Sequence, residues 1–381
     1  MNQTVHADCS DSRALGVGSV PTRLLRQAVS AIALALVLAC GRGGDPADRP
    51  QTGSSETEDA ARSVAEPELV DMEAFESGFE IARRLELEET DRAMVVSPMV
   101  EVGGPDRLFV AEPKESQVNI YDTDGSLVRV IGRRGDGPGE FRMPFTARPT
   151  LDGGIVVADF EASRMTFFPE GGDAVTVQSP GLILLGVSDI GGGRYLIEGR
   201  SEELWPAQLH IWNRGTDTIE RSFLPVVVPE AALGEAITFI SISVHVEADT
   251  IWAAWALSDT VYSFDLNGEL LNKLPVALPA PIVLPTTPYE RRSEAEKKEV
   301  EGITQVVGVF ATDSGLAVQS LRKLTAGTTH DLVLMDRQGS VVWSAARTPE
   351  LHAVIGADFY FADPFTILPN RWVVARRKAG E

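Results

Sequence analysis

The feature that most constrains this chain is a short strand–turn–strand unit that returns along it. Its clearest copy is Gly154-Ile-Val-Val-Ala-Asp159, a turn-like gap, Arg164-Met-Thr-Phe-Phe168 and then Gly171-Gly172. Upstream stands Arg107-Leu-Phe-Val-Ala-Glu112, followed by Gln117-Val-Asn-Ile-Tyr-Asp122, Asp124-Gly125 and Leu127-Val-Arg-Val-Ile131. Apolar runs of about five residues that turn through Asp-Gly read as strands joined by hairpins. Looser copies follow at Arg194–Ile197 with Leu209–Trp212, Thr250–Ala253 with Val261–Asp265, and Gly315–Val318 with Asp331–Asp336, and a last one at Arg371–Ala375. With Val110, Val157, Leu196, Ala253, Ala317 and Val373 taken as equivalent, the spacings are 47, 39, 57, 64 and 56 residues. Six units of four short strands predict an all-β, six-bladed β-propeller. No amphipathic helix alternates with the strands, which disfavours a doubly wound α/β sheet.

The sixth unit reaches only its inner strands before Glu381, and an open ring would leave bare strand edges. Residues Gly78–Leu87 have strand character and are expected to close the ring as the outer strand of the last blade. The alternative is a sequence that lacks a final hairpin. One insertion, Thr287–Glu301, carries Thr287 with Glu290 three residues on and Pro288 between them, a capping-box pattern that predicts a short charged helix between blades four and five. It serves as a solvated connector or as a cover for one end of the channel.

Ahead of the propeller, assigned to residues 68–381, lies an address. Val29–Ala39 is a run of eleven residues, apolar except for Ser30, preceded by Arg23 and Arg26 and followed by Cys40. Positive flank, hydrophobic stretch and small residue form a signal-peptide pattern over residues 1–40, too short for the roughly 20 residues of a membrane span. Val37-Leu38-Ala39-Cys40 resembles a bacterial lipobox, which implies acylation of Cys40 and a membrane anchor; an ordinary secretory signal with an incidental cysteine is the alternative. The stretch before Val20 is long for such a signal, so the translation start is expected near Val20. Cys9 lies in the part removed. Residues 41–67, rich in Gly, Pro, Ser and acids, read as a flexible tether. The expected location is the cell envelope, outside the cytoplasm.

Composition excludes some functions. The net charge is −21, and −22 beyond Cys40, with 31 basic against 53 acidic groups, so no phosphate-binding face for nucleic acid is expected. With 44% hydrophobic residues the body can form a core.

Gly135-Asp-Gly-Pro-Gly-Glu-Phe141, Pro144, Asp152-Gly-Gly-Ile-Val-Val-Ala-Asp159 and Arg164-Met-Thr-Phe-Phe168 together resemble an NHL-type repeat. They also resemble the bacterial six-bladed propeller lipoproteins that carry a Gly-Pro-Gly-Glu-Phe turn. The likeness covers about residues 105–170. It implies a propeller displayed outside the cytoplasm, and no reaction. In NHL repeats the acid and arginine at the positions of Asp159 and Arg164 pair across the turn, which implies the same pair here.

Candidate site residues fall into two groups. Glycine-rich Gly132–Glu140 is read as the crossing from one blade to the next, since Pro144 and Pro149 follow it where a phosphate loop needs a helix. Arg133 and Arg134 remain candidate anion contacts. Asp152, Asp189 and Asp313 are each expected to bond their own turn. Glu112, Asp159 and Glu198, with Trp255 and Gln319 in the looser units, share one phase at the end of the second strand. They either ring one end of the channel, able to take a hard cation such as calcium, or cap their own hairpins. Glu101, His245 and Glu247 lie near inner strands, while His210 and His330 belong to third strands; no three-histidine zinc spacing or Gly-x-Ser-x-Gly elbow occurs. The tryptophans and Tyr195 are assigned to packing between blades, with Trp205 the candidate for exposure. These readings favour a lipid-anchored module that binds a protein or small extracellular ligand, the alternative being a metal-assisted hydrolase or lyase at the channel mouth.

Overall fold

The computed structural model describes residues 69–102, 106–232, 241–288, 291–324 and 327–378. The signal, Cys40 and the tether lie outside the described residues. The chain is a six-bladed β-propeller of six four-stranded antiparallel sheets. Blade 1 is β2 (Met99–Val102), β3 (Arg107–Glu112), β4 (Gln117–Asp122) and β5 (Leu127–Ile131). Blade 2 is β6 (Pro144–Pro149), β7 (Ile155–Asp159), β8 (Arg164–Phe168) and β9 (Val175–Gln178). Blade 3 is β10 (Ile183–Gly191), β11 (Arg194–Arg200), β12 (Ala207–Asn213) and β13 (Thr218–Pro225). Blade 4 is β14 (Ile242–Glu247), β15 (Thr250–Trp255), β16 (Thr260–Asp265) and β17 (Leu270–Pro275). Blade 5 is β18 (Gln305–Thr312), β19 (Gly315–Leu324), β20 (Gly327–Asp336) and β21 (Val341–Thr348).

Blade 6 is built from both ends of the folded body. β22 (Leu351–Ile355), β23 (Asp358–Ala362) and β24 (Arg371–Arg377) come from the C-terminal side, and β1 (Phe79–Glu86) completes the sheet in the order β1-β24-β23-β22. Phe79 pairs with Arg377 and Glu86 with Arg371, so the early strand closes the ring as expected. The alignment of Val373 is corrected: it sits on β24, the third strand of its blade, and the second-strand counterpart is β23.

The sequence runs follow from burial. Six apolar clusters lie one at each blade–blade interface. In β3, Leu108 and Val110 pack toward blade 6, while Phe109 and Ala111 pack toward blade 2. A strand buried on both faces needs apolar residues at every position, so it reads as a continuous run rather than an alternation. Outer strands such as β17 are exposed at nearly every residue, which makes them faint in sequence. Tyr195, Trp212, Trp252, Trp255 and Trp372 are buried between blades; Trp205 is half-buried against the blade 3–blade 4 cluster.

Turn residues behave as their chemistry requires. Gly125, Gly268 and Gly339, at the tips of the outer hairpins of blades 1, 4 and 5, have φ of +91°, +76° and +92°, a region that costs glycine little. Asp122, Asp265 and Asp336 each accept backbone N–H bonds from the turn beside that glycine.

Among the described residues, two α-helices accompany the ring. α1 (Met72–Gly78) starts on Asp71, whose carboxylate accepts the Ala74 N–H at 3.0 Å, and buries Phe75 beside Phe79 between blades 5 and 6. It was not anticipated. The helix expected from Thr287 starts later, as α2 (Glu294–Glu301). The working capping box is Ser293 with Glu296: the Ser293 N–H donates to Glu296 at 2.7 Å and the Glu296 N–H to Ser293 at 3.3 Å. Glu290 lies outside the described residues.

Candidate site in the propeller channel

In each blade the second strand ends, and the inner strand begins, at the same end of the ring. The carboxylates of Glu112 and Asp159 stand there, and both turn onto backbone. Glu112 accepts the N–H groups of Val96 and Ser97 at 3.2 and 3.0 Å. Asp159 accepts those of Arg142 and Met143, each at 2.9 Å. Each acid thus caps the segment that leads into the inner strand of its own blade. Gln319 does similar work between blades, donating to the Leu351 carbonyl at 3.1 Å and accepting its N–H at 2.6 Å. Trp255 is buried in the blade 3–blade 4 core.

Glu198 differs. It points at Arg148 from β6, whose guanidinium bonds it, Ser188 Oγ at 2.8 Å and Glu101 at 2.8 Å. One side chain thereby ties blades 1, 2 and 3 together near the axis. Burial holds the Glu198 carboxyl above its ordinary range, an effect that Arg148 offsets only in part. Burial alone would depress the Arg148 guanidinium, but Glu101 and Glu198 override this and hold it firmly protonated. Gly186 makes room for the pair: a Cβ there would lie 2.6 Å from the Glu198 carboxyl carbon. His245 lies within the field of the same groups, and its burial pushes the imidazole below its usual value. Nearer the other end, Glu247 holds Arg337 at 2.6 Å, and that guanidinium lies 5.4 Å from the Trp252 ring centre.

So the acidic positions do not converge on one point. Among the described residues no group of three or more His, Cys, Asp and Glu is placed to hold a metal ion. Arg148 was missed by sequence reading. Its signal is the one charged residue inside the inner strand Pro144-Phe-Thr-Ala-Arg-Pro149, where an unpaired charge would be costly.

The glycine-rich crossing joins β5 to β6, and Arg164 holds it from beneath, donating to the carbonyls of Asp136, Gly135 and Glu140 at 2.8, 3.0 and 2.7 Å. Those three carbonyls thus face a cation, which suits a pinned turn rather than a phosphate cradle. Gly132 has φ of +85° and packs on Phe141, where a Cβ would come within 2.3 Å of the ring. The Asp159–Arg164 pair forms at 3.4 Å, with side chains 0% and 5% exposed. Because it is buried, the small value of an exposed pair does not apply to it. Arg133 and Arg134 are exposed on the crossing, and Arg133 reaches Glu140 at 2.7 Å. Asp152 and Asp189 bond their own turns through Gly154 and Gly191.

His210 is buried on β12. Its Nε2 faces the Gly199 carbonyl at 3.0 Å and its Nδ1 the Ser222 hydroxyl at 2.8 Å, so Nε2 carries the proton. Burial pushes this imidazole down to about 4, leaving it a neutral core group.

Residues 54–146 match the family described as 6-bladed beta-propeller (DUF5128). Among solved structures, the chain is similar to a member of the DUF4221 family from Bacteroides vulgatus, with a TM-score of 0.56 and 11% identity over 79% of this chain and 97% of that one. A structure from Bacteroides fragilis gives 0.55 and 11%, covering 80% and 96%. At such identity the likeness shows the fold alone. No curated protein matches the sequence.

Proposed function

We propose that the protein is an extracytoplasmic, lipid-anchored β-propeller that works as a binding or scaffold module, presenting its loops to a protein or small ligand. The carrying observation is that the channel's charges are spent inside the fold. Glu112 and Asp159 cap backbone, and Glu198 and Glu101 share Arg148. The axis therefore acts as a pin, and recognition falls to loops on a rigid frame. Arg133 and Arg134 are the loop cations best placed to contact an anionic group, being exposed on the blade 1–blade 2 crossing. The signal pattern ending at Cys40 supports location in the envelope, and the net charge of −21 argues against nucleic acid.

The test is a thermal-shift titration of the purified protein with calcium and with chelator, alongside cross-linking in intact cells. The expected result is a shift of no more than about 1 °C with either additive, and one recurrent cross-linked partner. A calcium-dependent rise of several degrees would instead favour a metal-assisted enzyme.

A further inference from the structure

The loop between β23 and β24 reads Asp363-Pro-Phe-Thr-Ile-Leu-Pro-Asn370. It leaves Phe365, Ile367 and Leu368 exposed by 60%, 89% and 50%. Three apolar side chains on one eight-residue loop are unusual for a surface with no partner. The loop is nonetheless well ordered by its own bonds. The Phe365 and Thr366 N–H groups donate to Asp363, and the Leu368 N–H to Thr366 Oγ1. Asn370 holds the base through Glu89 at 3.1 Å, and the Trp372 indole donates to the Pro369 carbonyl at 2.9 Å. With the N–H groups of Phe365, Thr366 and Leu368 paired, and Pro364 and Pro369 carrying none, the loop has few backbone donors left to lose water at an apolar phase. Arg84 stands at its edge, 5.2 Å from the Phe365 ring centre.

The position of the loop says what the apolar phase is. It joins the second and third strands of blade 6, so it lies at the end of the ring where second strands finish. The described chain begins at that same end. The Leu69 carbonyl accepts from Thr329, at the start of the third strand of blade 5, and Asp71 meets Arg347 at the close of that blade. Residues 41–68 lead back from there to Cys40. On the tether reading of their composition, a random coil of that length has a root-mean-square span of roughly 30 Å, so an anchor on Cys40 favours the near end of the propeller over the far one.

We propose that this end faces the membrane and that Phe365, Ile367 and Leu368 enter its lipid interface, with Arg84 at headgroup level. The proposal rests on the lipid-anchored reading above. Arg133 and Arg134, on the crossing from β5 to β6, stand at this same end, so the anionic group they meet is a headgroup phosphate. The net charge of −21 opposes a strongly anionic surface, and the lipid is zwitterionic.

The test uses the full chain, matured and reconstituted in phosphatidylcholine vesicles containing brominated acyl chains. Ile367→Trp is compared with Leu151→Trp, an exposed position on the opposite end in the turn between β6 and β7, after subtraction of the wild-type signal. At least threefold stronger quenching at position 367 is expected. Equal quenching at the two positions overturns lipid contact and leaves the loop to a protein partner. The mass of the Cys40 peptide tests the anchor separately. If it carries no acyl group, the Cys9→Ser chain is coupled to a maleimide lipid through Cys40, and the same quenching comparison decides the loop.

Discussion

Blades 1 and 2 solve one problem with different chemistry. In both, a carboxylate at the end of the second strand caps two backbone N–H groups, and the residue opposite it on the third strand supports the incoming segment. In blade 2 that residue is Arg164, paired in register with Asp159. In blade 1 it is Gln117, paired with Glu112. Gln117 donates to the Arg92 carbonyl at 2.7 Å and Asn119 to that of Met94 at 3.1 Å, so neutral amides do the holding that a guanidinium does in blade 2. Holding a loop therefore needs donors, not charge. The carboxylate feels the difference: Glu112 is fully buried, its Oε1 finds no hydrogen-bond partner among the described residues, and burial pushes it up to about 7. Asp159 instead lies beside a guanidinium.

The largest break in this pattern is expected at the arginine that blade 2 sends to its neighbours. Arg148→Met leaves Glu198 buried without its cation and should cost about 3–5 kcal/mol, read as a lowered urea midpoint. Adding Glu198→Leu should recover most of the loss. Recovery of none would mean that Arg148 acts through Glu101 or packing instead.

Next in size is Arg164→Gln, which gives blade 2 the blade 1 residue. It removes three donors from the crossing and the partner of a buried Asp159, so about 3 kcal/mol is expected. Limited proteolysis should then cut within 132–142. An unchanged digest would show that Phe141 and Glu140 pin the crossing unaided.

Glu112→Gln sharpens the comparison through pH. A carboxyl raised from near 4.5 to about 7 binds its proton more tightly when folded. Its contribution to stability is therefore present at low pH and is lost as pH rises between those values. The variant keeps an acceptor for Val96 and Ser97 and should match wild type near pH 5. At pH 8 it should exceed wild type by at most about 3 kcal/mol. Gln117→Arg should also stabilise the pH 8 form, by importing the blade 2 solution. A parallel pH profile for wild type and Glu112→Gln would refute the assignment. His210 works oppositely: neutral when folded, it should weaken the protein as pH falls from about 6.5 toward about 4.

The smallest effect is expected at Arg133→Ala. Its side chain is 78% exposed, so stability should stay within about 0.5 kcal/mol. A larger loss would show that the Glu140 contact organises the crossing.

Much of the ring was legible because second strands are buried on both faces and read as unbroken apolar runs. The same property misled the alignment of the last blade. β24, with Trp372-Val-Val-Ala375, is as deeply buried as any second strand, and burial carries no label of strand order. α1 escaped notice because seven residues with a single buried aromatic, Phe75, give too short a period to recognise. Of the site, the backbone-capping acids were visible through their repeated phase. The Arg148 cluster was not, since its carboxylate partners lie 47 residues before and 50 after it.

By itself the sequence determined the number of blades and the strand that closes the ring, because periodicity and local turn chemistry are written in neighbouring residues. Tertiary structure alone decided which carboxylates meet a cation and which meet backbone. It also decided which apolar loop shares an end with the first described residues, 69–71. Those outcomes depend on distances between residues far apart in the chain, which no local pattern encodes.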